Sequence, residues 1–207
     1  MNKNIHICKH PLLHDRLARL RDRNTPHAAF RLYLEEAGMY LGYEAMSELP
    51  LNPGMTETPI DKAATQTIAC PVVLAAVLRT GLAFMDGMSK LFPEAKMGHI
   101  GLKRDEKTLQ PVRYMASMPP CSKDSTVFLL DPMLATGGSS AAAAKIAKEH
   151  GAGKIVFISL IGTRQGLDKL TRECPDMPIY LAAIDEGLTA NGYIIPGLGD
   201  AGDRAFF

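Results

Sequence analysis

The sequence predicts an α/β fold in which helices flank a mainly parallel β-sheet. Continuous apolar runs at 72–78, 127–130 and 155–160 are typical of strands that are buried on both faces. Segments with helical character follow the first two runs, at 82–91 and 139–150. Because strands that alternate with helices usually join into a parallel sheet, these two observations together indicate the α/β class.

Length, charge and cysteine content narrow the class of protein. The chain has 207 residues and a net charge of +1, from 23 basic and 22 acidic side chains. We predict a single domain over residues 1–207. Charges of both signs are interspersed, so neither nucleic acid nor a membrane is an expected partner. The four cysteines are scattered and the N-terminus lacks an apolar core, which predicts a cytoplasmic protein without a signal peptide.

Two N-terminal helices are predicted over residues 11–48, with Thr25 as the N-cap of the second. One stripe of apolar residues in the second helix recurs at helical spacing, and further apolar residues widen it. We therefore expect this helix to contact its own core and also a second subunit, in a homodimer or a higher homo-oligomer. A single broad buried face is the alternative. The stripe is Phe30, Leu34, Ala37 and Leu41, and the residues that widen it are Leu32, Met39, Tyr40, Tyr43 and Met46.

Two segments lack helical periodicity. Prolines interrupt residues 50–70, which are predicted to be a loop with a short strand at 65–69. The polar segment 101–121 follows a predicted strand at 97–102 and is predicted to form a β-arm. An arm of this kind can close over a site and exclude water. A solvated charged hairpin is the alternative.

The central segment 126–144 has the pattern of an anion cradle. Asp131 ends a buried strand, a short loop ends in Thr136-Gly137-Gly138-Ser139, and an alanine-rich helix follows. Glycines let the backbone approach a ligand closely, and the first N–H groups of the helix are free to bind a phosphate. Arg79 follows the strand 72–78, at the edge where open α/β sheets bind ligands. A guanidinium there can hold pyrophosphate through two hydrogen bonds, and a surface arginine is the alternative.

The C-terminal segment 185–204 is rich in glycine and contains Pro196-Gly197-Leu198-Gly199-Asp200. Because such glycine density opposes both helices and regular strands, we predict a loop that offers bare backbone to a flat ligand. The rings of Phe206 and Phe207, which follow, are expected to be buried.

Two strings in the sequence resemble one known family. Residues 131–139, Asp-Pro-Met-Leu-Ala-Thr-Gly-Gly-Ser, resemble the phosphoribosyl-pyrophosphate (PRPP) motif of type I phosphoribosyltransferases, in the version of the uracil phosphoribosyltransferase branch. Residues 193–204 resemble the uracil-recognition loop of that branch. The resemblance implies the type I phosphoribosyltransferase fold with a hood and a β-arm. It also implies the salvage reaction of uracil with PRPP to give UMP and pyrophosphate, with Mg²⁺ as the cofactor.

The same resemblance assigns roles to individual residues, and none of them is assigned as a metal ligand. The catalytic residues that it implies are Asp131, Arg104 and Asp200. The residues implied to bind PRPP are Arg79, Arg104, Asp131, Pro132, Met133, Leu134, Ala135, Thr136, Gly137, Gly138, Ser139 and Asp200. Those implied to bind uracil are Ile194, Gly199, Asp200 and Ala201.

One departure from the family pattern leaves alternatives open. The family usually has two small residues followed by Pro-Glu-Gly, where this chain has Thr163, Arg164 and Gln165 before Gly166. The first alternative is a regulator that binds nucleotide on the same fold without catalysis. The second is an enzyme that uses another base. The sequence also leaves open whether GTP acts as an allosteric effector.

Overall fold

The computed structural model describes residues 3–104 and 111–207. Its helices, in chain order, are α1 (Pro11–Arg21), α2 (His27–Met46), α3 (Gly81–Leu91), α4 (Gly138–Glu149), α5 (Arg164–Glu173) and α6 (Ala201–Phe206). Its strands are β1 (Ile5–Ile7), β2 (Leu51–Glu57), β3 (Lys62–Ile68), β4 (Val72–Leu78), β5 (Lys96–Arg104), β6 (Pro111–Ser117), β7 (Thr126–Leu130), β8 (Met133–Leu134), β9 (Lys154–Ile158), β10 (Ile161–Thr163), β11 (Ile179–Leu181), β12 (Ala183–Asp185), β13 (Gly187–Leu188) and β14 (Ile194–Ile195).

Seven strands form the central sheet, in the order β1-β11-β9-β7-β4-β5-β6. All neighbouring pairs are parallel except β5 and β6, which are antiparallel. The predicted α/β class with a mainly parallel sheet is therefore confirmed. The chain moves from β4 to one side through β5 and then returns to the other side of β4 through β7. This reversal of strand order opens a crevice at the carboxyl ends of β4 and β7, where such folds bind ligands.

The core has two layers because side chains on each buried strand alternate between the faces of the sheet. Leu74 and Phe128 point to the layer formed with α1, α2, α3 and α6, whereas Val73 and Val127 point to the layer formed with α4 and α5. Both faces of β4 and β7 are therefore covered, which explains why these strands have no polar alternation in the sequence.

The N-terminal helices begin and end within a few residues of the predicted bounds. Pro26, and not Thr25, is the N-cap of α2, since the Phe30 N–H donates to the Pro26 carbonyl at 2.8 Å. The Thr25 hydroxyl instead donates to the carbonyl of Arg19 at 2.6 Å, and this hydrogen bond connects the turn between the two helices to the end of α1. The predicted stripe of α2 is buried, while Tyr43 is 73% exposed.

Residues 51–68 form a two-stranded antiparallel hairpin: β3 contains most of the short strand predicted at 65–69, but β2 replaces the predicted loop before it. Strands β2 and β3 pair over seven residues, and every residue of β2 is exposed. Because two strands with little buried surface have a weak hydrophobic pattern, the prolines dominated the prediction. Segment 101–121 contains the end of β5 and all of β6, which form the antiparallel edge of the central sheet.

The C-terminal segment is more regular than its glycine content predicts. β13 and β14 pair as a short antiparallel ladder, and α6 begins at Ala201 with Asp200 as its N-cap. Phe206 is only partly buried and Phe207 is 72% exposed as a residue, contrary to the expectation that both are buried. Among the described residues, no helix combines the length and apolarity needed to cross a bilayer.

Candidate active site

The anion cradle of residues 134–139 runs from the end of β8 into the first turn of α4, and we call it the phosphate loop. Gly137 has a φ of 77° and is the N-cap of α4. A side chain at this position would be strained by the left-handed backbone and would lie 2.7 Å from the Gly166 carbonyl oxygen. Ser139 is exposed in the first turn of α4, and Thr136 is half-buried just before it. The loop can therefore offer hydroxyls and the first N–H groups of α4 to a phosphate.

Asp131 lies at the carboxyl end of β7, at the crevice, and is only 8% exposed. Burial raises the pKa of its carboxyl group to about 7, against hydrogen bonds from the Met133 N–H and the Thr80 hydroxyl that lower it. The Met133 N–H lies 3.4 Å from the Asp131 Oδ1. This carboxylate has few protein partners and a costly charge, so hydroxyl donors or a cation of a ligand would stabilise its ionised form.

The side chains between Asp131 and Thr136 lie in two environments, the core and the crevice. Pro132 is buried, and its carbonyl accepts hydrogen bonds from the N–H groups of Leu160 and Ile161. Leu134 is 0% exposed and packs in the layer under α4 and α5. The side chains of these two residues are therefore part of the core. Met133 and Ala135 line the crevice.

Two arginines were predicted at this edge. Arg79 is exposed after β4, and its guanidinium lies over the Phe207 ring, 4.6 Å from the centroid. The backbone of Arg104 ends β5, but its side chain lies outside the described residues, as do residues 105–110 of the predicted arm. Among the ion pairs of the described residues, none joins Arg79 to a carboxylate.

Residues 185–204, which we call the base loop, place the predicted uracil contacts on the opposite wall. Ile194 and Ala201 are buried at 5% and 3% exposure, so they offer mainly backbone and a small apolar surface. The Asp200 Oδ1 accepts from the Asp203 N–H at 2.9 Å and caps α6. Gly199 and Asp200 are both exposed, and both line the opening of the crevice.

A cavity of about 240 Å³ joins the two walls. One wall consists of residues from β8, the phosphate loop and the turn before α3, and the other consists of the base loop. Its lining residues are Thr80, Met133 and Ala135 on the first wall, and Gly192, Tyr193, Ile194, Gly199, Asp200, Ala201 and Gly202 on the second.

An ion pair between half-buried Arg21 and buried Asp185 holds the base loop, and sequence reasoning did not find it. Arg21, at the end of α1, donates to both carboxylate oxygens of Asp185 at 2.8 and 2.6 Å and to the Gly197 carbonyl at 2.7 Å. Asp185 also accepts from the Gly197 N–H at 2.9 Å, and its side chain is 4% exposed. Asp185 and Gly197 were visible in the glycine-rich string, but nothing near Arg21 marks it as their partner.

A second arginine fixes the end of the same loop. The Arg204 guanidinium donates to the carbonyls of Leu198 at 2.8 Å, Leu20 at 2.5 Å and Asp22 at 2.5 Å. It also lies 4.3 Å from the centre of the Phe30 ring. The chain therefore anchors its C-terminal segment on the junction between α1 and α2.

A divalent cation would find few protein ligands here. The part of the chain that the structure describes contains no group of three or more His, Cys, Asp or Glu side chains that could hold a metal ion. The crevice supplies two separate carboxylates, Asp131 and Asp200. Mg²⁺ often binds through one or two carboxylates plus the phosphates of a substrate, so this donor set fits a cation that arrives with a polyphosphate ligand.

The family model and the sequence relatives agree on one family, and the solved structures agree on its fold. The model of the family described as "Uracil phosphoribosyltransferase" matches residues 7–207. A uracil phosphoribosyltransferase from Thermoanaerobacter sp. is 44% identical over 207 residues, which cover 100% of this chain and 99% of that protein. The AQ2163 protein from Aquifex aeolicus has a solved structure with a TM-score of 0.92 and 33% identity, over 98% of this chain and 97% of that one. A hypoxanthine phosphoribosyltransferase from Trypanosoma cruzi shares the fold, with a TM-score of 0.52 and 12% identity over 76% and 75%.

Proposed function

The chain belongs to the uracil phosphoribosyltransferase family, and from that membership we propose that it transfers a phosphoribosyl group from PRPP to uracil. The products are UMP and pyrophosphate, so the reaction salvages a free pyrimidine base. One observation carries the proposal: Ala135 of the phosphate loop lines the same cavity as the base loop, whose lining residues begin more than 50 positions later, at Gly192.

The chemistry suits the groups that surround this cavity. Loss of pyrophosphate from the ribose builds positive charge on the sugar and negative charge on the leaving group. Arg79 and Arg104 would stabilise the leaving pyrophosphate, and the phosphate loop would hold the 5′-phosphate. The Asp131 carboxylate would accept hydrogen bonds from the ribose hydroxyls, which replace the hydration that burial has removed from it. A nitrogen of uracil attacks, so the chain needs no covalent nucleophile.

Mg²⁺ is the metal that we propose for this reaction. Asp131 and Asp200 are the protein carboxylates that would hold it, together with the pyrophosphate oxygens of PRPP. When bound, the cation neutralises charge that develops on the leaving oxygen atoms. The raised pKa of Asp131 fits this role, because a neighbouring cation favours the ionised carboxylate.

Base selection would depend on backbone groups of the base loop near Ile194, Gly199 and Ala201. Uracil presents an N–H at N3 and a carbonyl at C4, whereas cytosine presents an acceptor and an amino group at the same positions. A backbone donor and acceptor arranged for uracil would face two mismatches with cytosine. Each unpaired buried group costs about 1–3 kcal/mol, and the hydrogen bonds of Arg21 to Gly197 and of Arg204 to Leu198 support the backbone of this loop.

We also propose that the enzyme is a homodimer or a higher homo-oligomer in the cytoplasm. Large apolar side chains are exposed on α2 and on the β2–β3 hairpin, where a second copy would cover them: Leu32, Tyr43, Leu51, Met55 and Ile60. All four cysteines are unpaired thiols, as expected in a reducing compartment. Light scattering after size exclusion measures the oligomer, and a monomer at micromolar concentration would contradict this part.

The test of the activity is direct. The protein is incubated with labelled uracil, PRPP and MgCl₂, with and without GTP, and UMP is separated and counted. We expect UMP formation that requires both PRPP and a divalent metal. Cytosine, hypoxanthine and orotate replace uracil in parallel reactions, and faster turnover of one of them would reassign the base. Binding of UMP in calorimetry without turnover under any metal would indicate a nucleotide-binding regulator.

A further inference from the structure

The segment that departs from the family pattern contacts the phosphate loop through one buried hydroxyl. Thr163 is 1% exposed and lies between β10 and α5. Its Oγ1 donates to the Ala135 carbonyl at 2.6 Å. The same oxygen accepts from the Gly166 N–H at 3.0 Å, so Thr163 is also the N-cap of α5.

The two segments that this hydroxyl joins are packed without spare room. A Cβ atom on Gly166 would lie 2.5 Å from the Ala135 carbonyl oxygen and 2.8 Å from that of Leu134. From the other side, a Cβ on Gly137 would lie 2.7 Å from the Gly166 carbonyl oxygen. The first turn of α5 is therefore in direct backbone contact with the phosphate loop, and Thr163 hydrogen-bonds to both.

The hydrogen bond to the Ala135 carbonyl also affects the opposite side of the phosphate loop, through the geometry of the peptide unit. The peptide unit between Ala135 and Thr136 is planar and trans, so its N–H points opposite to its carbonyl. Because Thr163 holds the Ala135 carbonyl, it also fixes the direction of the Thr136 N–H, which points away from α5. Ala135 itself lines the cavity that the base loop closes.

We propose that Thr163 is a positioning residue for phosphate binding: its hydroxyl orients the Ala135–Thr136 peptide of the phosphate loop against the start of α5. The proposal rests on the proposed function, because PRPP is the ligand whose 5′-phosphate the loop would hold. Thr163 touches no substrate. Its hydroxyl acts on PRPP through the phosphate loop. The backbone of Thr163 pairs with Asp185, the first residue of the base loop, in the parallel β10–β12 ladder, but the hydroxyl makes no hydrogen bond to the base loop among the described residues.

The experiment compares Thr163→Val, Thr163→Ala and Thr163→Ser in steady-state kinetics. Val and Ala remove the hydroxyl, and we expect the KM for PRPP to rise by about tenfold, the effect of one or two lost hydrogen bonds. The kcat and the KM for uracil should change by less than about twofold, since loss of phosphate binding that is equal in the ground state and the transition state appears in the KM for PRPP alone. Thr163→Ser keeps the hydroxyl and should restore the KM for PRPP.

A matched control separates positioning from folding. Ser159 is also fully buried, and its hydroxyl donates to a backbone carbonyl, that of Ile161 at 3.1 Å, but not to the phosphate loop. Ser159→Ala should lower the melting temperature without a selective change in the KM for PRPP. If Thr163→Val does not fold, Thr163→Ala supplies the same comparison. An unchanged KM for PRPP, or equal changes for both substrates, would overturn the proposal.

Calorimetry distinguishes failure of this inference from failure of the proposed function. UMP carries the 5′-phosphate and uridine lacks it, so the ratio of their affinities reports the phosphate loop without turnover. We expect this ratio to fall by about tenfold in Thr163→Val and to recover in Thr163→Ser. Wild-type protein that binds UMP but makes none would contradict the enzyme, while an unchanged ratio in Thr163→Val would contradict the role of Thr163.

Discussion

The phosphate loop and the base loop face the same cavity but are held in place by different means. The phosphate loop is continuous with β8 and α4, and its supports are backbone contacts, one left-handed glycine and the hydroxyl of Thr163. The base loop has only short strand pairing, and two arginines from distant positions hold it. The difference indicates that one half of the site is fixed by the sheet and the other by charged side chains.

This difference has a functional reason. A phosphate carries the same charge and shape in every nucleotide, so a rigid backbone cradle at a helix start serves it well. A base must be distinguished from similar bases, which requires a donor and an acceptor held at defined positions. Arginine is suited to hold such a loop because its planar guanidinium makes several hydrogen bonds of fixed geometry.

Removal of the Arg21 guanidinium should have the largest effect. In Arg21→Met the Asp185 carboxylate stays buried and loses its cation, which costs about 3 kcal/mol in the free energy of unfolding. The KM for uracil should rise more than the KM for PRPP. Urea unfolding and steady-state kinetics measure both effects.

Arg19→Met is the matched control for this variant, since Arg19 pairs with exposed Asp15 on the same helix. It should cost less than about 0.5 kcal/mol. Equal costs for the two variants would show that the ion pair with Asp185 does not support the base loop.

Asp131→Asn should lower kcat/KM for PRPP. Loss of a charge-assisted hydrogen bond to the ribose hydroxyls should weaken PRPP use by roughly 1.5–3 kcal/mol, measured as kcat/KM for PRPP. The exposed Asp124, before β7, supplies the control Asp124→Asn, which should leave kcat/KM unchanged. Wild-type kinetics in Asp131→Asn would remove this carboxylate from the site.

The pH dependence of PRPP binding tests the state of the same carboxyl group. With a pKa of about 7, Asp131 is mostly protonated at pH 6 and ionised at pH 8. The affinity of the wild type for PRPP should therefore rise by about tenfold from pH 6 to pH 8. Asp131→Asn serves as the reference, because any change in its affinity comes from ionisation of PRPP itself, and the tenfold rise is counted beyond that change. Calorimetry at both pH values measures it, and parallel profiles for the two proteins would contradict the assignment.

The raised pKa also predicts the direction of a stability change. Asp131 is neutral in both the folded and the unfolded state below pH 3.8, so the cost of its buried charge is absent there. The stability that the folded protein has while this carboxyl group is protonated is therefore lost as the pH rises through about 7. Asp131→Asn should therefore gain stability relative to the wild type across this window, in urea unfolding at pH 4.5 and pH 8.

Arg164→Ala should have the smallest effect. Arg164 is exposed at the first position of α5, where the helix dipole disfavours a cation. We expect a change below about twofold in the KM for PRPP and a gain near 0.3 kcal/mol in stability. A tenfold loss in PRPP affinity would show that this side chain contacts the ligand and that the phosphate side also depends on charge.

The two loops also differ in how far the sequence predicted them. The nine residues 131–139 follow a fully buried apolar strand and lead into a twelve-residue helix, so the local pattern placed the phosphate loop, whereas the positive φ of Gly137 was seen only in the structure. The short strands β8 and β10 were missed because two or three residues carry no periodicity. Their pairing depends on neighbours that are distant in the chain.

The base loop was recognised by its string but its structure was not predicted. Glycine density concealed the β13–β14 ladder and the start of α6. Arg21 and Asp185 are 164 residues apart, and only the folded chain brings the end of α1 within reach of the Asp185 carboxylate. The exposed β2–β3 hairpin was missed for the opposite reason, since it has almost no buried face to produce a pattern.

The sequence by itself determined the α/β class, the buried strands, the phosphate loop and the family, because each depends on residues that are neighbours in the chain. The tertiary structure alone decided that the two loops share one cavity, that Arg21 and Arg204 hold the second loop, and that the hydroxyl of Thr163 holds the first. These contacts join residues separated by up to 184 positions, and only packing of the whole chain brings such residues together.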